Sequence, residues 1–469
     1  MEVSPIANDS AAIQLNDQWA IDIPSKHCCI YKVPTKLRKI NEEAYTPQVV
    51  AIGPFHYKTD KNEKKEPAYP KKYEQMEKQK KRYLDFFCNR TGAKKEDITT
   101  FIRSRKQKIR HCYSEEFGMI KDEEFVEMVK LDAIFIIELF WRSHKWTRKL
   151  SNEGYPNPEI PYHLSVNPCR KNITKEDLML LENQLPYFIL EGLYSDFVYK
   201  VLEERGYDVP TFLQLTCEFF FEDPKIPDAV KQRGKGIAHF TDLLRTYYCH
   251  EMPPIGELET MYNATALSEA GLKFNRSKHE KPYVQFHHPE ILGRLPCLNC
   301  SAISACLPCF KCVPYLELMQ PRLELSHFLV EIGTEVLYRN LMALEQCHYP
   351  FETRICNYIR LLDNLIVSGK DVDLLVDRKV IANGLGGSEA ASKLINTLCD
   401  QIVPYDQSDK DSGDGLSKKL NDYYENPWNR TMATMTNTYF SNFWRGTATI
   451  VGIIILLFAF WNFLRPFVM

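Results

Sequence analysis

The sequence predicts a mainly α-helical fold with a small β element, a single large globular domain plus one C-terminal transmembrane helix. Three observations carry this. Apolar residues recur at helical spacing through most of the chain, two short runs are strand-like, and nineteen uncharged residues, 446–464, stand between Arg445 and Arg465. With 44% hydrophobic residues among 469, the chain has enough apolar surface to close a core, which excludes a largely disordered protein. A formal net charge of -2 gives no electrostatic reason to expect a nucleic acid partner.

Residues 1–20 read as a flexible N-terminal tail. They hold neither a basic stretch nor an apolar run, so they do not read as a signal peptide. The helical globular body spans residues 21–405. It opens on an extended segment, Cys28–Pro34, ended by proline, and the charged, proline-bearing stretch Thr59–Lys72 reads as a solvated loop. Tyr73, Met76, Lys80, Tyr83, Leu84 and Phe87 then form one helix stripe, apolar except for Lys80. Phe125–Trp141 is a strongly apolar helix with Asp132 and Glu138 embedded in it, and Leu178–Leu193 is a helix interrupted by Pro186. Shorter helices fall at His239–Tyr248 and Ala266–Leu272, and strands at Tyr283–Phe286 and Leu323–Glu331. The helical pattern resumes at Thr334–Cys347, Tyr358–Ser368 and Ala390–Leu398. A polar linker, residues 406–415, leads to an aromatic-rich juxtamembrane helix, 416–445. The predicted transmembrane helix is 446–464, with a short tail at 465–469. No internal repeat recurs at a fixed period.

The expectation of an anchor rests on length and charge. Nineteen residues at about 1.5 Å each reach roughly 28 Å, near the ~30 Å hydrocarbon core of a bilayer. Trp444, Trp461 and Phe463 stand near the ends, where aromatic rings favour the interface. Lys418, Lys419, Arg430 and Arg445 lie upstream and only Arg465 downstream, which predicts a single-pass protein with its body in the cytosol, on a plasma membrane or endomembrane. Fifteen cysteines, an odd number spread from Cys28 to Cys399, fit reduced thiols rather than a secreted disulfide framework. Seven Asn-x-Ser/Thr triplets, at Asn8, Asn89, Asn172, Asn263, Asn275, Asn299 and Asn429, read as chance occurrences under that topology.

The residues able to carry chemistry are few. Cys297, Cys300, Cys306, Cys309 and Cys312 lie within sixteen residues. Paired thiolates two residues apart can bite one zinc ion, and two such pairs give the four ligands of a tetrahedral site, with His287 and His288 as substitutes. The five-residue gap after Cys300 is short for a zinc module, so a metal-free or palmitoylated cysteine-rich insertion is the competing reading. Glu182, Asn183 and Gln184 sit beside an apolar run and need partners if buried, which predicts a structural polar network or a binding pocket. Glu335 and Arg339 are spaced for a helical ion pair, and Asn340 continues the polar positions. The basic run Arg105–Arg110 reads as a solvated helix face, with anionic headgroups as the other candidate partner. Phosphate-binding loops, the nucleophile elbow of hydrolases and the His-Glu-x-x-His zinc signature are missing, so no catalytic or cofactor-binding residue is assigned.

Several long blocks together resemble one family, the plant membrane proteins grouped as domain of unknown function 247. They are Cys28–Tyr57, Phe125–Trp141, Asp177–Tyr194, His239–Arg245, Ala264–Phe274 and Thr334–Cys347, followed by the stretch leading to the terminal helix. The resemblance spans about residues 28–464. It implies a mostly helical body with a C-terminal transmembrane helix, and it brings no established enzyme activity or catalytic residues. Some grass members are associated with pollen self-incompatibility, which implies recognition or signalling. The cysteine-rich stretch within Pro289–Arg322 departs from the family's usual short link. The expected function is therefore a non-enzymatic interaction or signalling protein, bound to a protein partner and held at a membrane through 446–464. The alternatives are an enzyme with an unrecognised site near Glu182, Asn183, Glu335 and Arg339, and a protein carrying a structural zinc.

Overall fold

The computed structural model describes residues 27–57, 70–147, 168–221, 226–289, 320–403, 415–439 and 443–468, apart from 234–235, 251, 254, 256–257 and 280. Its architecture is mainly helical with a small sheet. After a short first helix, α1 (Thr35–Arg38), come α2 (Glu74–Thr91), α3 (Lys95–Arg103), α4 (Lys106–Arg110) and the central α5 (Asp122–Thr147). Phe125, Ile134, Phe135, Ile137 and Phe140 of α5 are all fully buried, because a helix apolar on every side must be enclosed on every side. Each such side chain contributes roughly 1.5–3 kcal/mol of burial. The α2 stripe lies against α5, and Gly92, with φ 78°, ends α2 in the left-handed turn that glycine adopts without strain.

Behind α5 follow α6 (Pro168–Asp177), α7 (Tyr187–Tyr194), a π turn at Ser195–Tyr199, α8 (Lys200–Glu203), α9 (Phe212–Phe221), α10 (Asp228–Arg233) and α11 (Phe240–Cys249). Their aromatic residues interlock around Phe140, whose ring centroid stands 4.5 Å from that of Phe219 and 5.4 Å from that of Phe240. Of the helix predicted over Leu178–Leu193 with an interruption at Pro186, the part before the proline is a turn over residues 178–186, and α7 starts after Pro186. Proline disfavours helical backbone in the residue before it and offers no N–H, so the chain stays open until Tyr187.

After α12 (Ala264–Glu269), strands β1 (Lys273–Arg276), β2 (Val284–His287) and β3 (Arg322–Leu325) form a sheet of order β1-β3-β2. β3 pairs parallel with β1 and antiparallel with β2. β4 (Phe328–Val330) pairs parallel with β5 (Ile381–Asn383). Between them lie α13 (Thr334–His348), α14 (Arg354–Leu365) and α15 (Gly369–Asp377), followed by α16 (Ser388–Leu398). The stretch predicted as one juxtamembrane helix is two, α17 (Leu416–Glu425) and α18 (Pro427–Tyr439), broken at Asn426, whose backbone is extended ahead of Pro427. Asn429 of one Asn-x-Ser/Thr triplet is buried and donates to Tyr423 O at 2.9 Å, and Asn263 of another caps α12 through Ala266 N, so both amides are engaged in the fold.

The expectation of a C-terminal transmembrane helix is overturned. The segment 446–464 lies within α19 (Phe443–Val468), yet among the described residues no helix is long and apolar enough to cross a membrane.

Candidate functional site: a clamped N-terminal strap

Residues 28–57 run as a strap across the helical body, and most of the strap has no regular secondary structure. Backbone N–H and C=O groups buried outside helices and sheets need other partners. Here the body supplies them from side chains. Asp177, at the end of α6, accepts N–H bonds from Gln48 and Val49 at 2.7 Å and from Val50 at 2.8 Å. Burial pushes its carboxyl up to about 6, and those three donors oppose the rise.

The turn over residues 178–186 adds two more anchors and a third side chain that closes the turn. Glu182 Oε1 accepts Val33 N at 2.7 Å, and its Oε2 accepts Arg38 Nη2 at 2.5 Å. Asn183 Oδ1 accepts Ile52 N at 2.6 Å, while its Nδ2 donates to Val50 O at 2.9 Å and Asp177 O at 2.8 Å. Gln184 turns the other way: its Nε2 donates to Leu178 O and Leu180 O, closing the turn itself, and its Oε1 accepts Phe240 N at the start of α11. All three side chains are buried. Gly53 passes so close that an added Cβ would stand 2.7 Å from Gln184 O, and its φ is 71°, so both space and backbone require glycine there.

Further contacts to the strap come from α2, α5 and α13. Lys80, on the apolar stripe of α2, donates to Ala51 O and to Asp132 Oδ1 at 2.6 Å each, and Asp132 Oδ2 accepts Gly53 N at 2.9 Å. Asn340 Oδ1 accepts Leu181 N, and its Nδ2 donates to Ala44 O at 2.8 Å. Glu335 accepts Asn41 Nδ2 and Arg339 Nε, each at 2.8 Å, and Arg339 Nη2 reaches Thr397 O at 3.1 Å. Val33, Leu37, Ala44 and Tyr45 of the strap complete the clamp as an apolar cluster with Leu181, Ala343 and Leu344. Glu182, Asn183, Gln184 and Asn340 thus meet around one turn, with Glu335 and Arg339 at the strap's outer bend.

Sequence reasoning left out part of this set. Asp177 had a readable sign, an acidic residue in the last turn of a helix, where the helix dipole disfavours it unless donors approach. Lys80 and Asp132 had another, opposite charges each interrupting an apolar helix face. A second cluster, on α10, α11 and α13, had none. There Arg245 Nε donates to Glu345 Oε1 at 3.0 Å with its guanidinium 3.8 Å from the Tyr349 ring centre, and Tyr349 Oη donates to Asp242 Oδ1 at 2.6 Å. Burial raises the Glu345 carboxyl, and Arg245 opposes the rise.

The cysteines proposed as zinc ligands, Cys297, Cys300, Cys306 and Cys309, together with Cys312, lie outside the described residues. His287 lies 3.5 Å from Glu324 across β2 and β3, and His288 packs beside Phe286 and Tyr423, where burial lowers its pKa. Among the described residues no group of three or more His, Cys, Asp or Glu side chains is arranged to hold a metal ion. In the basic run, Arg105, Lys108 and Arg110 lie over the rings of Phe101, Phe188 and Phe125.

The fold and its clamp define a helical body closed by its own N-terminal segment through buried carboxylates and amides. The chain belongs to the plant family grouped as domain of unknown function 247, described as plant protein of unknown function, whose profile matches residues 30–458. It is similar to the UPF0481 protein At3g47200 of Arabidopsis thaliana, 25% identical over 92% of this chain and 84% of that protein. It is also similar to the putative UPF0481 protein At3g02645 of the same plant, 22% identical over 93% of this chain and 89% of that protein. No solved structure matches.

Proposed function

We propose that this chain is a non-enzymatic recognition protein whose helical body binds another protein. The observation that supports this reading is the commitment of the central polar side chains. Glu182, Asn183 and Asp177 direct their oxygens at the backbone of the strap, which is the work of fixing a shape rather than of moving protons on a substrate. A surface for a partner is available where β4 runs into α13. Leu329 is 47% exposed and Ile332 84% exposed, in and just after the last strand before α13, and exposed apolar residues of this kind favour protein contact.

Proximity labelling in plant cells, followed by binding of the purified candidate to the purified full chain, tests the reading. A partner whose affinity falls at least tenfold with Ile332→Asp, at unchanged melting temperature, supports it. A chain that turns over a small molecule, and loses that turnover with Glu182→Gln while keeping its fold, overturns it.

A further inference from the structure

The strap carries a feature that the clamp does not use. Cys29 N and Ile30 N both donate to Cys112 O, at 2.9 and 2.8 Å, and Ser114 N donates back to Ile30 O at 2.9 Å. This is a parallel bridge pairing Ile30 with Tyr113. One step back along both segments, the same register sets Cys29 beside Cys112. Residues side by side across a bridge lie within the range of Cα separation, about 4.4–6.8 Å, that a disulfide spans. The Cys112 thiol itself donates to Lys108 O at 3.3 Å. Both cysteines are free, Cys112 buried and Cys29 half-buried. We propose that Cys29 and Cys112 are a reversible dithiol–disulfide pair whose oxidation locks the N-terminal strap to the body.

The chemistry follows from the placement of the two thiols. The Cys29 thiol beside it, and then nearby Lys108, favour the Cys112 thiolate, while the Cys112 side chain and burial hold the proton on Cys29. Cys112 is therefore the attacking thiolate. The oxidant is a low-molecular-weight disulfide such as oxidised glutathione. Cys112 attacks one of its sulfurs, its S–S bond breaks, and one small thiolate leaves and takes the proton from Cys29. The Cys29 thiolate then attacks the Cys112 sulfur and expels the second small thiolate. One small disulfide is consumed, one protein disulfide forms, and one proton leaves with the two released thiols. The bond would close the long loop from residue 29 to residue 112 and so restrict an opened strap far more than a closed one.

The test uses the purified full chain equilibrated in mixtures of reduced and oxidised glutathione, followed by alkylation, digestion and mass spectrometry. The expected result is a Cys29–Cys112 linked peptide that grows with the oxidised fraction and reverts in excess reduced glutathione. Amide exchange at Ile30 and Ser114 is expected to slow at least tenfold in the oxidised form. Cys28→Ser should keep the link, whereas Cys112→Ser should abolish it. A dominant link from Cys29 or Cys112 to any other cysteine overturns the pair, as does continued alkylation of both thiols in the most oxidising mixture. Amide exchange unchanged by oxidation overturns the lock.

Discussion

His239 shows how far one buried side chain determines the behaviour of the strap. Its Nδ1 faces Asp242 N at 3.4 Å as the cap of α11, and its Nε2 is 2.9 Å from Cys29 O. That pattern places the single proton on Nε2, which donates to the strap, and leaves Nδ1 to accept. A second proton would turn Nδ1 into a donor aimed at another donor, in a site only 1% exposed. Burial accordingly lowers its pKa from 6.5 to about 4. Because the folded value lies below the unfolded one, the stability His239 contributes is fully present above pH 6.5 and is lost as pH falls toward about 4. The loss is on the order of 3 kcal/mol, at about 1.4 kcal/mol per unit. His239→Asn keeps a side chain that caps well and does not titrate. Urea unfolding between pH 6.5 and 4 should therefore fall more steeply for the wild type than for this variant. Equal slopes would show that the imidazole charges without opening the site.

At the scale of elements, α14 has no side-chain cap of its own, and Thr353 at its start makes no such bond. The cap comes from a neighbour. Glu345 on α13 accepts Ile355 N at 3.1 Å with Oε1 and Cys356 N at 2.9 Å with Oε2, while Arg245 of α11 holds the same carboxylate. One buried side chain thus joins three helices. Glu345→Gln would aim an amide NH2 at backbone N–H and strip the charge from beside buried Arg245, so a loss of roughly 3–5 kcal/mol is expected, read from the urea midpoint. A loss under about 1 kcal/mol, the range of an exposed pair, would show that the three helices do not depend on this carboxylate. The sequence shows the helices around this cap far better than the cap. The stripes of α2 and α5 are legible because period and burial agree along one element. The pairing of Glu345 with Ile355 and Cys356 depends on the angle between two helices, which no local pattern encodes. The turn at 178–186 was half legible: Pro186 marks the break, but nothing local shows that Glu182 and Asn183 reach a segment some 130–150 positions earlier. The expectation of a membrane-spanning helix over 446–464 rested on a count of uncharged residues alone, and among the described residues no helix is long and apolar enough to cross a membrane.

For the whole molecule, the strap joins groups far apart in sequence: Val33 to Glu182, Ala44 to Asn340, Asn41 to Glu335. These long-range bonds can form only after α2, α5, α6 and α13 have assembled, and contacts of high sequence separation close late and slowly. The body in turn depends on the strap. Without residues 28–57, Glu182, Asn183, Asp177 and Asn340 would each lose partners that bury them, and each orphaned group costs about 1–3 kcal/mol, more when charged. Four such losses fall within the ~5–15 kcal/mol that separates a folded domain from its unfolded chain. The chain beginning at residue 58 is therefore expected to lack a cooperative thermal transition by calorimetry. Adding a peptide of residues 27–57 in trans should restore one, because the clamp acts through hydrogen bonds and the small Val33–Leu37–Tyr45 cluster rather than through chain connectivity. The same peptide carrying Gly53→Ala should fail to restore it, since its Cβ would collide with Gln184 O. A truncated chain that melts cooperatively at the wild-type temperature without peptide would mean that the carboxylates find other partners, and that the strap is an attachment to the body rather than part of its core.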